Sequence, residues 1–293
     1  MSRRPISRGG ALALLAAAPL AAGCAFDPNA VRVGSKNFTE SFVIAEIYAQ
    51  ALERAGMHVQ RIFNLGSTQI AIAAMERGNV DLYPEYTGTA LIDVLHLPPI
   101  GDAREAYRVV SKEFAQRYGI VWLTPSPMND SQALATTRAA AARFGIATLS
   151  DCARAAPQLR LATIQEFLAR PDGLPGLQRY YGGFHFQEVR TYDIALKYRA
   201  LLEGKAEVAS AFSTDGAIAT DDLVLLRDDR HFWSAYNVAP IVRAATLAKR
   251  PHIAGVLGAV SPKITDTVAR AMNAAVEKDQ VDPADVAAEF LRR

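Results

Sequence analysis

The chain runs to 293 residues, half of them hydrophobic and 21% charged, which predicts two globular domains and excludes a disordered or collagen-like polypeptide. Lys and Arg number 32 against 30 Asp and Glu; setting aside Arg3, Arg4 and Arg8 in the first 23 residues leaves 29 cations to 30 carboxylates, so no concentrated basic surface for nucleic acid is expected. Two cysteines far apart, Cys24 and Cys152, exclude a disulfide scaffold and a cysteine-rich zinc site.

Residues 1–10 are basic and residues 11–23 form an apolar run. A helix of that length spans about 20 Å, too short for a bilayer core of about 30 Å. A charged start, a short apolar core and small residues before a cut predict an export signal over 1–23, followed by a linker over 24–30. Leu20-Ala21-Ala22-Gly23-Cys24 resembles the bacterial lipobox, with Ala21 where Leu is usual. The resemblance implies lipidation of Cys24 and a lipid-anchored protein in the periplasm or on the outer face of the cell membrane. Each buried acyl methylene contributes about 0.8 kcal/mol. Export removes cytosolic ATP and nicotinamide chemistry from the expected roles.

From residue 31 the pattern alternates short strands with helices. Val31–Gly34 reads as a strand, and Thr39 as the cap of a helix to Ala55 that Gly56 stops. Strands are expected near 57–63, 80–83, 120–123, 159–163 and 206–212, with helices between them, and the last 60 residues read as largely helical. The alternation predicts an α/β fold with mostly parallel sheets.

Catalytic and cofactor motifs are absent from the pattern. There is no phosphate loop, no dinucleotide fingerprint, no paired-histidine zinc helix and no nucleophile elbow. The five histidines are never three or four apart, so no metal pair is visible. Cys152 follows Ser150-Asp151 at an expected helix start and reads as a small apolar core residue. Three loop segments instead suit a small zwitterion: residues 34–40 with Lys36, residues 81–89 with Tyr86 and Thr89, and residues 232–237 with Tyr236. Loops at the carboxyl ends of parallel strands are where open α/β sheets bind ligands.

Six segments carry a resemblance: GSKNFTE at 34–40, GSTQIA at 66–71, DLYPEYTGTAL at 81–91, EFLARPDG at 166–173, FSTDGAI at 212–218 and LRDDRHFWSAYNVAP at 226–240. In order and spacing they resemble the substrate-binding subunits of osmoprotectant ABC importers, a family that handles glycine betaine, choline, carnitine and related quaternary ammonium compounds. The resemblance implies a type II periplasmic binding protein. Lobe 1 would comprise 31–129 and 236–293, lobe 2 would comprise 130–235, and the two would close on ligand by a hinge. It implies a box of aromatic faces for the ammonium, at Tyr86 and Tyr236, and a carboxylate side at Lys36, Thr89 and Arg170. Two box positions depart, with Gln132 and Phe212 where tyrosines are usual. A quaternary ammonium has no N–H to donate, so ring faces must recognise it. Lys36 and Arg170 would need an anion, which favours a betaine-type zwitterion over choline. The partners implied are the ligand, a permease and, through it, an ATPase subunit, with the protein itself a monomer and no enzyme. No cofactor and no metal is expected. The competing readings are choline, carnitine, a betaine-bearing amino acid or a polyamine in the same role, and an exported enzyme on the same fold.

Overall fold

The first strand, β1 (Val31–Gly34), is short because its two valines are its apolar content, and both are buried. In this computed structural model the described residues are 29–194, 196–220 and 222–293. The expected export signal, the linker as far as residue 28 and Cys24 lie outside them. After β1 come β2 (Val59–Ile62), β3 (Leu82–Tyr86) and β4 (Ile120–Trp122). The chain then forms β5 (Gln132–Thr137), β6 (Arg160–Thr163), β7 (Glu188–Thr191), β8 (Val208–Phe212) and β9 (Leu223–Leu225), and returns with β10 (Val238–Arg243).

These strands make two five-stranded sheets, in the orders β2-β1-β3-β10-β4 and β7-β6-β8-β5-β9. The expectation of mostly parallel sheets needs correction. β10 runs antiparallel to β3 and β4, and β5 runs antiparallel to β8 and β9. The reason is topological. β3 and β8 end where the two sheets face each other, whereas β5 and β10 begin there, having just crossed from the other sheet. A strand that starts at the cleft runs against one that ends at it. The register places Val238 opposite Tyr86 and Gln132 opposite Phe212, so both junctions lie at the ends of β3 and β8.

The last 60 residues are largely helical, as expected, and β10 is the strand that precedes those helices. Pro240 in the middle of its apolar run argues against a central strand. The fold accommodates it by pairing Pro240 with Pro84 of β3, so two residues without an N–H share one register position. Thr39 is not a cap. It is the first residue of the helix Thr39–Arg54, Phe38 occupies the cap position, and the nearby Ser41 hydroxyl accepts from Lys36 N at 2.8 Å. That helix buries Val43, Ile44, Ile47, Tyr48 and Leu52 completely, because helices Asp266–Glu277 and Pro283–Phe290 cover its other side. Cys152 is buried in helix Leu149–Ala155, and burial pushes its thiol up, away from the reactive thiolate.

Candidate functional site

At the carboxyl end of β1 the chain turns through Ser35-Lys36-Asn37, and at the end of β3 through Tyr86-Thr87-Gly88. Neighbouring parallel strands therefore bring Lys36 and Tyr86 together. The Lys36 ammonium lies 4.8 Å from the Tyr86 ring centre and 5.5 Å from that of Phe38. It is buried, and it donates to Glu85 Oε1 at 2.8 Å and to Thr68 Oγ1 at 3.2 Å. Glu85 is fully buried and also accepts from the Tyr83 hydroxyl at 2.6 Å and from Tyr86 N at 2.7 Å. Thr89 is buried in the next turn, and its hydroxyl makes no hydrogen bond among the described residues.

Tyr236 precedes β10 and lies against Gly88, closely enough that a methyl group there would sit 2.5 Å from two ring carbons. The Tyr236 hydroxyl donates to Asp172 Oδ2, and Tyr236 N donates to Asn129 Oδ1 at 2.7 Å. Arg170 holds the same Asp172 with both arms of its guanidinium, at 2.8 and 2.7 Å, and reaches across to Asp93. Arg170 follows a helix of the second sheet while Asp93 follows β3 of the first, so this ion pair spans the two sheets.

The family resemblance implies that Lys36 and Arg170 await the ligand's carboxylate. Here Lys36 already has Glu85, and Arg170 has Asp172 and Asp93. Glu85 and Asp172 sit inside the quoted motifs, in YPEYTG and ARPDG, among the aromatic and basic residues that suggest ligand binding, whereas Asp93 lies just beyond the 81–91 segment. The one signal is a carboxylate between two tyrosines, which has to be paired once the strand around it is buried.

A second group lies beside the Tyr86 hydroxyl, which donates to Glu40 Oε1 at 2.7 Å. Asn273 Nδ2 donates to Glu40 Oε2 at 2.9 Å, and the Thr214 hydroxyl donates to Asp130 Oδ1 at 2.6 Å. Burial raises the pKa of Glu40, and burial together with the Glu40 charge holds that of Asp130 well above the usual carboxylate range. Phe212 closes this side. Its ring carries the buried Lys197 ammonium at 5.2 Å, and Lys197 pairs with Asp215 at 3.0 Å. The site is thus polarised, with three rings near an excess of buried carboxylate.

Gln132 stands opposite Phe212 across β5 and β8. Its residue lines a separate cavity of about 290 Å³, with Asn129, Ser213, Asp228, His231 and Trp233; neither Tyr86 nor Phe212 lines that cavity. The structure therefore joins Lys36 to Tyr86, Arg170 to Tyr236, and Gln132 to Phe212, with Thr89 one turn beyond Tyr86.

Two carboxyl groups give the site a pH dependence. Burial raises Asp93 to about 6, and burial with the Asp215 charge raises Glu277 to about 7. Both titrate near 4 when unfolded. Between about pH 4 and 7 the folded state therefore holds more protons than the unfolded one, and this contribution to stability is lost as pH rises through that window. Glu277 keeps much of its surface in water, so solvent screens this effect, and Glu277→Gln is expected to stabilise the protein by no more than about 1 kcal/mol at pH 8 and to be neutral at pH 4. Denaturant melts at both pH values check this, and an equal change at the two values would remove the titration from the explanation.

Two α/β sheets joined by crossing segments, with charged and aromatic groups gathered between them, define a type II periplasmic binding protein. Residues 29–293 match the family described as the substrate binding domain of ABC-type glycine betaine transport systems, and the chain belongs to that family. It is 36% identical to a glycine-betaine-binding protein of Pseudomonas aeruginosa, over 96% of this chain and 93% of that one. It is 28% identical to the carnitine transport binding protein OpuCC of Listeria monocytogenes, over 90% of this chain and 87% of that one. The crystal structure of a glycine betaine/carnitine/choline ABC transporter superposes with a TM-score of 0.77 at 28% identity, covering 89% of this chain and 97% of that chain. The protein is accordingly a substrate-binding component of an ABC transport system, acting outside the cytoplasm with a permease. Among the described residues no helix is long and apolar enough to cross a membrane.

Proposed function

We propose that the ligand is a glycine betaine-type quaternary ammonium compound, captured between the two sheets and handed unchanged to the permease. The observation that supports this most is the Tyr86 ring, buried at the cleft end of β3 with Glu40 and Asp130 beside its hydroxyl. A methylated cation gains from the ring face and from the nearby negative charge, and needs no hydrogen-bond acceptor. Tyr236 and Phe212 supply further walls and the Thr89 hydroxyl a donor for the ligand's carboxylate, and Gln132, which lines the neighbouring cavity in this structure, becomes a polar side once the lobes close. Lobe 1 comprises 31–129 and 236–293 and lobe 2 comprises 130–235, a division supported by the antiparallel bridge between Asn129 and Asn237. Closure about the segments crossing between the lobes holds the ligand, and Arg170 fastens the lobes through Asp93. The protein is a monomer without catalytic activity, and it feeds a permease driven by an ATPase subunit.

A second reading, choline in the same site, is favoured by one observation. Because Lys36 and Arg170 already have protein carboxylates, a ligand with no anion leaves no buried cation unpaired. Calorimetry with glycine betaine, choline and carnitine separates the two. Tyr86→Ala is expected to weaken the preferred ligand by roughly five- to thirtyfold, the value of one desolvated ring contact. If the variant binds all three as the wild type does, the aromatic box is wrong.

The anchor is proposed on the same terms. Replacing Cys24 with Ser should abolish acylation and shift the protein from the membrane fraction, and identical fractionation of the two forms would refute it.

A further inference from the structure

A cavity of about 430 Å³ lies at the other end of the first sheet, where β1 and β3 begin and β10 ends. Arg32, Arg243, Lys249 and Arg250 line it, and the one carboxylate among its lining residues is Asp81. Asp81 is already saturated. Its two oxygens accept from Arg32 N, Nε and Nη2 at 2.9, 2.8 and 2.9 Å and from the Thr246 hydroxyl at 2.8 Å. Arg243 Nη1 also lies 3.6 Å from Asp81 Oδ1, so Arg32, Arg243, Lys249 and Arg250 share a single carboxylate and positive charge is in excess in one concave space.

Part of the group is held rigidly. Arg32 and Arg243 project from strands, and Arg243 N donates to Asp81 O at 2.9 Å. The Arg243 guanidinium lies over Gly78, where an added methyl would be 3.0 Å from Nη1. Arg250 donates to Asn29 O at 2.7 Å, which ties the cavity to the first described residue.

We propose that this cavity binds a phosphate oxyanion, whose charge and planar-fork acceptors match two arginines and a lysine. Its position points to a source. Asn29 lines the cavity and is the fifth residue after Cys24, a reach of at most about 18 Å. If Cys24 carries the proposed anchor, the cavity stands within that distance of the bilayer surface, where phospholipid headgroups are concentrated.

The test uses the full, non-acylated chain. Inorganic phosphate, titrated by calorimetry at low salt, is expected to bind, and to bind at least about tenfold more weakly at 0.5 M salt. Arg243→Ala should reduce phosphate binding by a similar factor, and Lys249→Glu, a surface change that leaves the Asp81 network intact, should do the same. Glycine betaine affinity should stay unchanged in both. Vesicles of phosphatidylglycerol should retain the wild type better than vesicles of phosphatidylcholine. Phosphate binding without that preference supports the cavity and overturns the headgroup source. No phosphate binding, or binding that survives both substitutions, overturns the site.

Discussion

Glu85→Ala is expected to lower the unfolding free energy by about 3–5 kcal/mol and to abolish ligand binding. Glu85 is wholly buried and carries three donors at once: the Lys36 ammonium, the Tyr83 hydroxyl and the Tyr86 amide. Removing it strands a buried cation, which costs far more than the net worth of the pair it leaves. It also frees the backbone of Tyr86, the ring on which the proposed ammonium site depends. Lys36→Met in the same chain should recover much of the stability, since an apolar replacement of both charges is often neutral. The double variant should still fail to bind a betaine. Equilibrium denaturation and calorimetry on the single and double variants provide the comparison. A loss below about 1 kcal/mol for Glu85→Ala would mean that water reaches Lys36 and that the pair is not a buried one.

Gly88→Ala is expected to cost about 1–3 kcal/mol, the usual penalty for forcing a methyl into a packed interior. It should also weaken ligand binding at least tenfold. The new Cβ would lie 2.5 Å from Cδ1 and Cε1 of Tyr236 and 2.8 Å from Cγ. A ring can move away from such a contact only if its far end is loose, and this one is tied to Asp172. Displacing it disturbs the carboxylate that Arg170 grips, and with it the ion pair to Asp93 across the two sheets. Gly255→Ala is the control. Its methyl would meet nothing within 4 Å on helix His252–Val260, and a helical Gly-to-Ala change there should stabilise by about 0.5–1 kcal/mol. If Gly88→Ala is as harmless as Gly255→Ala, Tyr236 does not occupy a fixed place at the site.

The two substitutions fall on motif residues with different legibility. Gly88 belongs to the 81–91 motif, where a glycine permits close approach, and the structure supplies the approaching group, Tyr236 from 148 residues further along the chain. Glu85 stands in the same motif, but nothing local in the sequence marks it as buried. A side chain's burial depends on what arrives from elsewhere, and β10 covers β3 only after the chain has made the whole second sheet.

Local order set much of this protein by itself. Val31–Gly34, the apolar stripe of Thr39–Arg54 and the strands at 160–163 and 208–212 follow from short-range pattern, because burial of one face needs only the right period. The loops after β1 and β3 were legible as ligand positions for the same reason: they follow strand ends. Direction within the sheets was not legible, since no local pattern says whether a strand begins or ends at the cleft, and half of the pairings proved antiparallel. The charge state of the site was hidden too. Lys36 and Arg170 read as unpaired cations because Glu85 and Asp93 become their partners only when distant segments meet, while Asp172, two residues from Arg170, is a local partner whose contact depends on how the loop turns. Ion pairing is decided by distances across the fold, and only the tertiary structure brings Glu85 and Asp93 within reach.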